Sequence, residues 1–182
     1  MNFKPVTNET GSPSVNKKLD AVGKKLGFVP NLFSMLGNSE TALDAYLSLT
    51  GILEGGELTP QTKERIALVT ANYNDCEYCT AAHCYLASHN NVPNGDIRAH
   101  GHSADHKVEP LIQFAEELLE KKGRVSAGTV QKARDEGYGD SELLETVVHV
   151  TLNILTNYAN NLARTEVDFP AIDLDEPRVA NG

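Results

Sequence analysis

Apolar positions recur along most of this chain at intervals of three and four, and polar or glycine punctuation cuts them into helix-length pieces. Asn38-Ser39 precedes a stretch with Leu43, Tyr46, Leu47, Thr50 and Leu53 on one face, stopped by Gly55-Gly56. Thr59-Pro60 is a start signal, a capping hydroxyl followed by proline at the first helical position. That helix is expected to run to about Tyr73, where Asn72, Asn74 and Asp75 favour a break. A further helix starts near Cys76 and reaches about Asn90, followed by a loop rich in Asn, Gly and His up to Asp105. Leu111, Phe114, Ala115, Leu118 and Leu119 mark an amphipathic helix ended by Gly123, and Ser126 to Glu136 a short one closed by Gly137. Asp140 is expected to cap a long helix to about Arg164, whose Leu143, Leu144, Val147, Val148, Thr151, Ile154, Leu155, Tyr158 and Leu162 are too dense for a single stripe. Such a helix is central to a core or shared with another subunit. No stretch alternates with the period of a strand, so the expectation is an all-α single domain over residues 16–165. By composition, residues 1–15 and 166–182 are expected to be tails.

Composition narrows the function classes. The 182 residues are enough for one domain with its own core. With 16 Lys and Arg against 25 Asp and Glu, the net charge of -9 argues against nucleic acid or anionic membrane as a partner. No apolar run approaches the ~20 residues of a membrane span. Met1-Asn2-Phe3-Lys4-Pro5 lacks the basic-then-apolar pattern of a secretion signal. Three cysteines, an odd number, do not read as a secreted disulfide framework. The expectation is a cytoplasmic chain with its thiols reduced at rest.

Glu64, Cys76, Cys79 and His83 then stand out. At ~100° per residue, positions 76, 79 and 83 fall on one stripe of a helix, and a carboxylate arrives from the helix before. Two thiols on one turn can close a disulfide with little backbone movement. A thiol in the first turn feels the positive end of the helix dipole and ionises more readily, which favours Cys76 as the nucleophile. His83, one turn beyond Cys79, is placed to exchange its proton. Glu64 shares a face with Leu68 and Ala71, a setting that suits a general base. Cys84 points ~100° around the helix from His83 and is expected to pack as a small hydrophobe.

Two other readings use some of the same residues. The pair can serve as one half of a zinc site, with His89, His100, His102 or His106 as further ligands, giving a zinc-stapled helical interaction module. That reading leaves Glu64 without a task. A general thiol–disulfide oxidoreductase is the other, although the strand-helix-strand setting of thioredoxin is absent.

The spacing Glu-x11-Cys-x2-Cys-x3-His, filled by Glu64, Cys76, Cys79 and His83, resembles the signature of the alkyl hydroperoxidase D-like proteins of the carboxymuconolactone decarboxylase superfamily. Gly27-Phe28-Val29-Pro30-Asn31-Leu32-Phe33 is similar to the N-terminal segment of a peroxidase-related branch. The resemblance implies an all-helical fold, and thiol-dependent reduction of hydroperoxides without metal, haem or flavin cofactor. It also implies a homo-oligomer, a trimer or hexamer before a dimer, and a thiol reductant such as a lipoyl-type or other dithiol adaptor. It makes Cys79, not Cys76, the residue that attacks the peroxide. Cys76 then resolves the sulfenic acid, and Glu64 and His83 relay the Cys79 proton. Tyr78 stands where founding members carry a histidine, so a second imidazole is missing. The decarboxylase branch generally lacks the cysteine pair.

Overall fold

The computed structural model describes residues 3–175, and every regular element among them is a helix. In chain order these are α1 (Pro13–Leu26), α2 (Asn31–Leu36), α3 (Glu40–Glu54), α4 (Pro60–Tyr73), α5 (Glu77–His89), α6 (Asn94–Arg98), α7 (Glu109–Glu120), α8 (Ala127–Asp135) and α9 (Asp140–Ala163). The punctuation read from the sequence works as chemistry. The hydroxyls of Ser39, Thr59 and Ser126 each accept from a first-turn N–H of the helix that follows. Gly123 and Gly137, at φ of 85° and 97°, turn the chain where α7 and α8 end.

The centre of the molecule is α4. Thr62 and the run Arg65 to Ala71 are buried, and the helix packs against α5, α6, α7 and α9. Helix α9 crosses the same layer but differs from its expected form. Leu144, Leu155, Tyr158 and Leu162 face outward, Tyr158 and Leu162 more than 60 % exposed. The side it buries carries Thr146, His149, Asn153, Thr156, Asn157 and Asn160. Its cap also differs: Gly139 is the N-cap, and the Glu142 carboxylate accepts from the Gly139 N–H at 2.8 Å.

The segments expected as tails are anchored where they are described. Helix α1 begins at Pro13, capped by Ser12, and the Val6 N–H donates to the Ser34 carbonyl at 2.9 Å. After α9 the chain doubles back along α2. There the Asp168 carboxylate accepts the Asn31 N–H at 2.7 Å and the Asn31 side chain donates to the Glu166 carbonyl. Phe169 meets Phe28, Tyr78 and Tyr85 with ring centroids 5.7–5.8 Å apart. These anchors were invisible to composition, because each depends on one or two side chains in a polar stretch. Residues 1–2 and 176–182 of the expected tails lie outside the described residues.

Candidate active site

The turn between α4 and α5 sets the site. Asp75 takes a left-handed conformation (φ 49°), tolerated by Asp, and the Cys76 N–H closes the turn onto the Ala71 carbonyl. Two asparagines of α9 hold this turn: Asn157 accepts from the Asn74 side chain at 3.0 Å and Asn161 donates to the Asn74 carbonyl at 2.8 Å. Cys76 is the N-cap of α5, its sulfur accepting the Cys79 N–H at 3.3 Å. Cys76 and Cys79 stand at disulfide distance, with Cα atoms 5.3 Å apart.

His83 lies one turn along α5, and its Nδ1 is 2.8 Å from a carboxylate oxygen of Glu64 on α4. The other Glu64 oxygen accepts from the Asn90 side chain at 3.4 Å. Both members of the pair are largely buried, with 21 % of the His83 side chain and 14 % of the Glu64 side chain exposed. The four residues expected to act together are thus brought onto facing walls of α4 and α5.

They do not all face the same space. A cavity of about 460 Å³ is lined by Glu64, Cys79 and His83 but not by Cys76, although both cysteines are buried, at 2 % and 1 % exposure for Cys79 and Cys76. Phe28, Phe33, Tyr46, Leu47 and Phe169 give the cavity an apolar, aromatic wall. Burial pushes the Tyr46 hydroxyl up to about 12, with the Glu64 charge adding to the shift, so it stays a phenol. The opposite wall is the polar side of α9, and there the Asn160 side chain donates to Cys79 Sγ at 3.3 Å. His149, on the same wall, is held neutral by burial and by Lys63, against the opposing pull of Glu145 and Glu64.

The remaining candidates have other work. Cys84 packs beside Leu68, Ala87, Val92 and Ile97, and burial raises its thiol pKa. Tyr78, 4 % exposed, accepts the Leu32 N–H at 3.2 Å, so this ring anchors the start of α2 instead of relaying protons. His89 stacks on Tyr85, with ring centroids 4.2 Å apart. His102 pairs with Glu109 at 2.9 Å and lies 3.6 Å from Glu116, fastening its loop to α7. Among the described residues no group of three or more His, Cys, Asp or Glu is arranged to hold a metal ion. Nor is any helix among them long and apolar enough to cross a membrane.

Sequence reasoning missed the α9 wall and Phe169. A signal for the first existed: His149, Asn153, Thr156 and Asn160 recur at spacings of four, three and four inside an otherwise apolar helix. Phe169 carried no such signal.

An all-helical domain with a buried Cys-x-x-Cys turn at a Glu–His pair is similar to the alkyl hydroperoxidase D-like proteins of the carboxymuconolactone decarboxylase superfamily. Residues 41–121 match the model of the carboxymuconolactone decarboxylase family, a span that holds all four site residues. Among solved structures, the chain is similar to a peroxidase-related protein with an alkylhydroperoxidase AhpD core from Ralstonia eutropha JMP134. The two superpose with a TM-score of 0.81 at 21 % identity, covering 91 % of this chain and 92 % of that one. A peroxidase-related protein from Silicibacter sp. TM1040 gives 0.75 at 18 % identity, over 91 % of this chain and 90 % of the other. The debrominase Bmp8, as a cysteine-to-alanine variant with 2,3,4-tribromopyrrole, gives 0.77 at 14 % identity, over 92 % of both chains. No curated protein matches by sequence.

Proposed function

We propose that the protein is a thiol-dependent hydroperoxide reductase that draws its electrons from a dithiol partner. The observation that carries this reading is the division of the pair: Cys79 lines the cavity beside Glu64 and His83, and Cys76 does not. A substrate in the cavity meets one sulfur only. The helix-terminus argument favours Cys76 as the more acidic thiol, and its capping position strengthens that argument; access decides for Cys79.

The steps balance without a further cofactor. His83, oriented by Glu64, takes the Cys79 proton. The thiolate attacks the terminal oxygen of the hydroperoxide, the O–O bond breaks, and the alkoxide leaves as the alcohol with that proton. Cys79 is now a sulfenic acid, which Cys76 attacks; an S–S bond forms and water departs. The N-cap position serves Cys76 twice. It favours the thiolate that resolves the sulfenic acid, and it stabilises Cys76 as the leaving group when a dithiol attacks Cys79 from the cavity.

Reduced protein mixed with tert-butyl hydroperoxide should yield tert-butanol and one Cys76–Cys79 disulfide per chain, with Cys84 still alkylatable. Dithiothreitol should then sustain turnover. Hydroperoxide loss no faster than with dithiothreitol alone, while disulfide exchange persists, would make the protein a general thiol–disulfide oxidoreductase. A dominant bond to Cys84, within or between chains, would refute the assignment of the pair.

A further inference from the structure

The buried side of α9 is polar where a core helix is ordinarily apolar. Two of its amides have architectural roles, since Asn157 Oδ1 holds the α4–α5 turn, its Nδ2 being buried without a partner among the described residues, and Asn153 donates to the His149 carbonyl at 2.9 Å. Asn160 has no such role. It is 2 % exposed and lines the cavity, its Nδ2 donates to Cys79 Sγ at 3.3 Å, and its Oδ1 is buried with no partner among the described residues. An unpaired carbonyl in that position destabilises the fold, and leucine would fill the space without the cost. Sulfur is also a weak acceptor in a disulfide or a thiol and a strong one as a thiolate.

We propose that Asn160 is a catalytic residue that stabilises the Cys79 thiolate through its N–H. The assignment goes beyond the Glu64–His83 relay, which removes the proton but does not hold the resulting charge. The thiolate role does not depend on which electrophile Cys79 attacks.

The test measures the thiol itself. In a Cys76→Ser background, where serine can still cap α5, the rate of Cys79 alkylation by iodoacetamide is followed by mass spectrometry from pH 5 to pH 10. Asn160→Leu should move the midpoint upward by about one to two pH units, the strength of a hydrogen bond to a charged group. Asn160→Asp keeps the shape but offers no amide donor. It should move the midpoint at least as far, and it keeps the question answerable if the leucine variant does not fold. A midpoint unchanged in a folded Asn160→Asp variant overturns the proposal. A shifted midpoint in a protein that does not consume tert-butyl hydroperoxide upholds the thiolate role and refutes the peroxidase reading, so the two failures are distinguishable.

Discussion

At the scale of single residues, Glu64 and His149 are both largely buried ionisable groups beside the cavity, yet they make opposite predictions. Glu64 is tied to His83 at 2.8 Å, so Glu64→Gln keeps the shape and removes the carboxylate through which His83 works as the base. Hydroperoxide turnover should fall on the order of 10²–10⁴-fold with circular dichroism unchanged; turnover within threefold of the parent would reduce Glu64 to a structural carboxylate. His149 instead titrates against stability. Burial, aided by Lys63, holds its folded pKa below the ordinary 6.5, and Glu145 at 3.5 Å only partly opposes this. As pH falls below 6.5 the unfolded chain takes up a proton that the folded chain refuses, so stability present above that pH is lost toward pH 5. Melting temperatures from pH 7.5 to pH 5 should therefore decline less steeply in His149→Gln than in the parent, and parallel curves would show that His149 charges freely in the fold. The sequence revealed Glu64 and His83 because a fixed spacing on two consecutive helices constrains them. It hid Asn160, whose bond to Cys79 spans 81 residues of chain and depends on how α9 lies across α5.

The element boundaries were legible because caps are local chemistry: a hydroxyl before Pro60, a serine before Ala127 and a glycine after α8 act within one turn. Which side of an element is buried was less so. Helix α9 reads as apolar nearly all round, and only packing reveals that its polar residues turn inward. The stretch between α5 and α7 shows the same limit. It was expected to be a loop, yet it contains α6 and a clamp onto α4, in which Arg65 donates to the Asp96 carboxylate at 2.7 and 3.0 Å and the Ser103 hydroxyl adds a third bond. Gly101 makes the clamp possible. At φ 97° it passes the backbone of Arg65 so closely that a Cβ would lie 2.3 Å from the Arg65 carbonyl oxygen. Gly101→Ala should cost roughly 2–3 kcal/mol, a melting point lower by about 5–10 °C. A shift under about 2 °C would mean that the segment moves away from α4 without consequence. Arg65 directly follows Glu64, so any such movement should also loosen the relay.

For the whole molecule, the outward side of α9 is the feature the single chain does not explain. Leu144, Val148, Thr151, Leu155, Tyr158 and Leu162 recur at spacings of four, three, four, three and four, the heptad pattern by which one helix packs along another. Among the described residues most of this row is uncovered. Leu144, Tyr158 and Leu162 are each more than 60 % exposed, and Ile52 on the adjacent α3 is 73 % exposed. Contiguous apolar surface of this kind is uncommon on monomers and ordinarily marks an interface. A heptad row of this kind can pack against the same row of a second copy, the self-complementary contact of a closed oligomer. The expected state is therefore a closed homo-oligomer, a trimer or hexamer in line with the family resemblance. Light scattering at micromolar concentration should give a multiple of 19.7 kDa. Leu155→Glu combined with Leu162→Glu should return the mass to that of one chain while leaving Cys79 alkylation unchanged, because neither residue lines the cavity. A parent protein that already scatters as 19.7 kDa would leave the α9 seam without its proposed partner, and the oligomer prediction would fail.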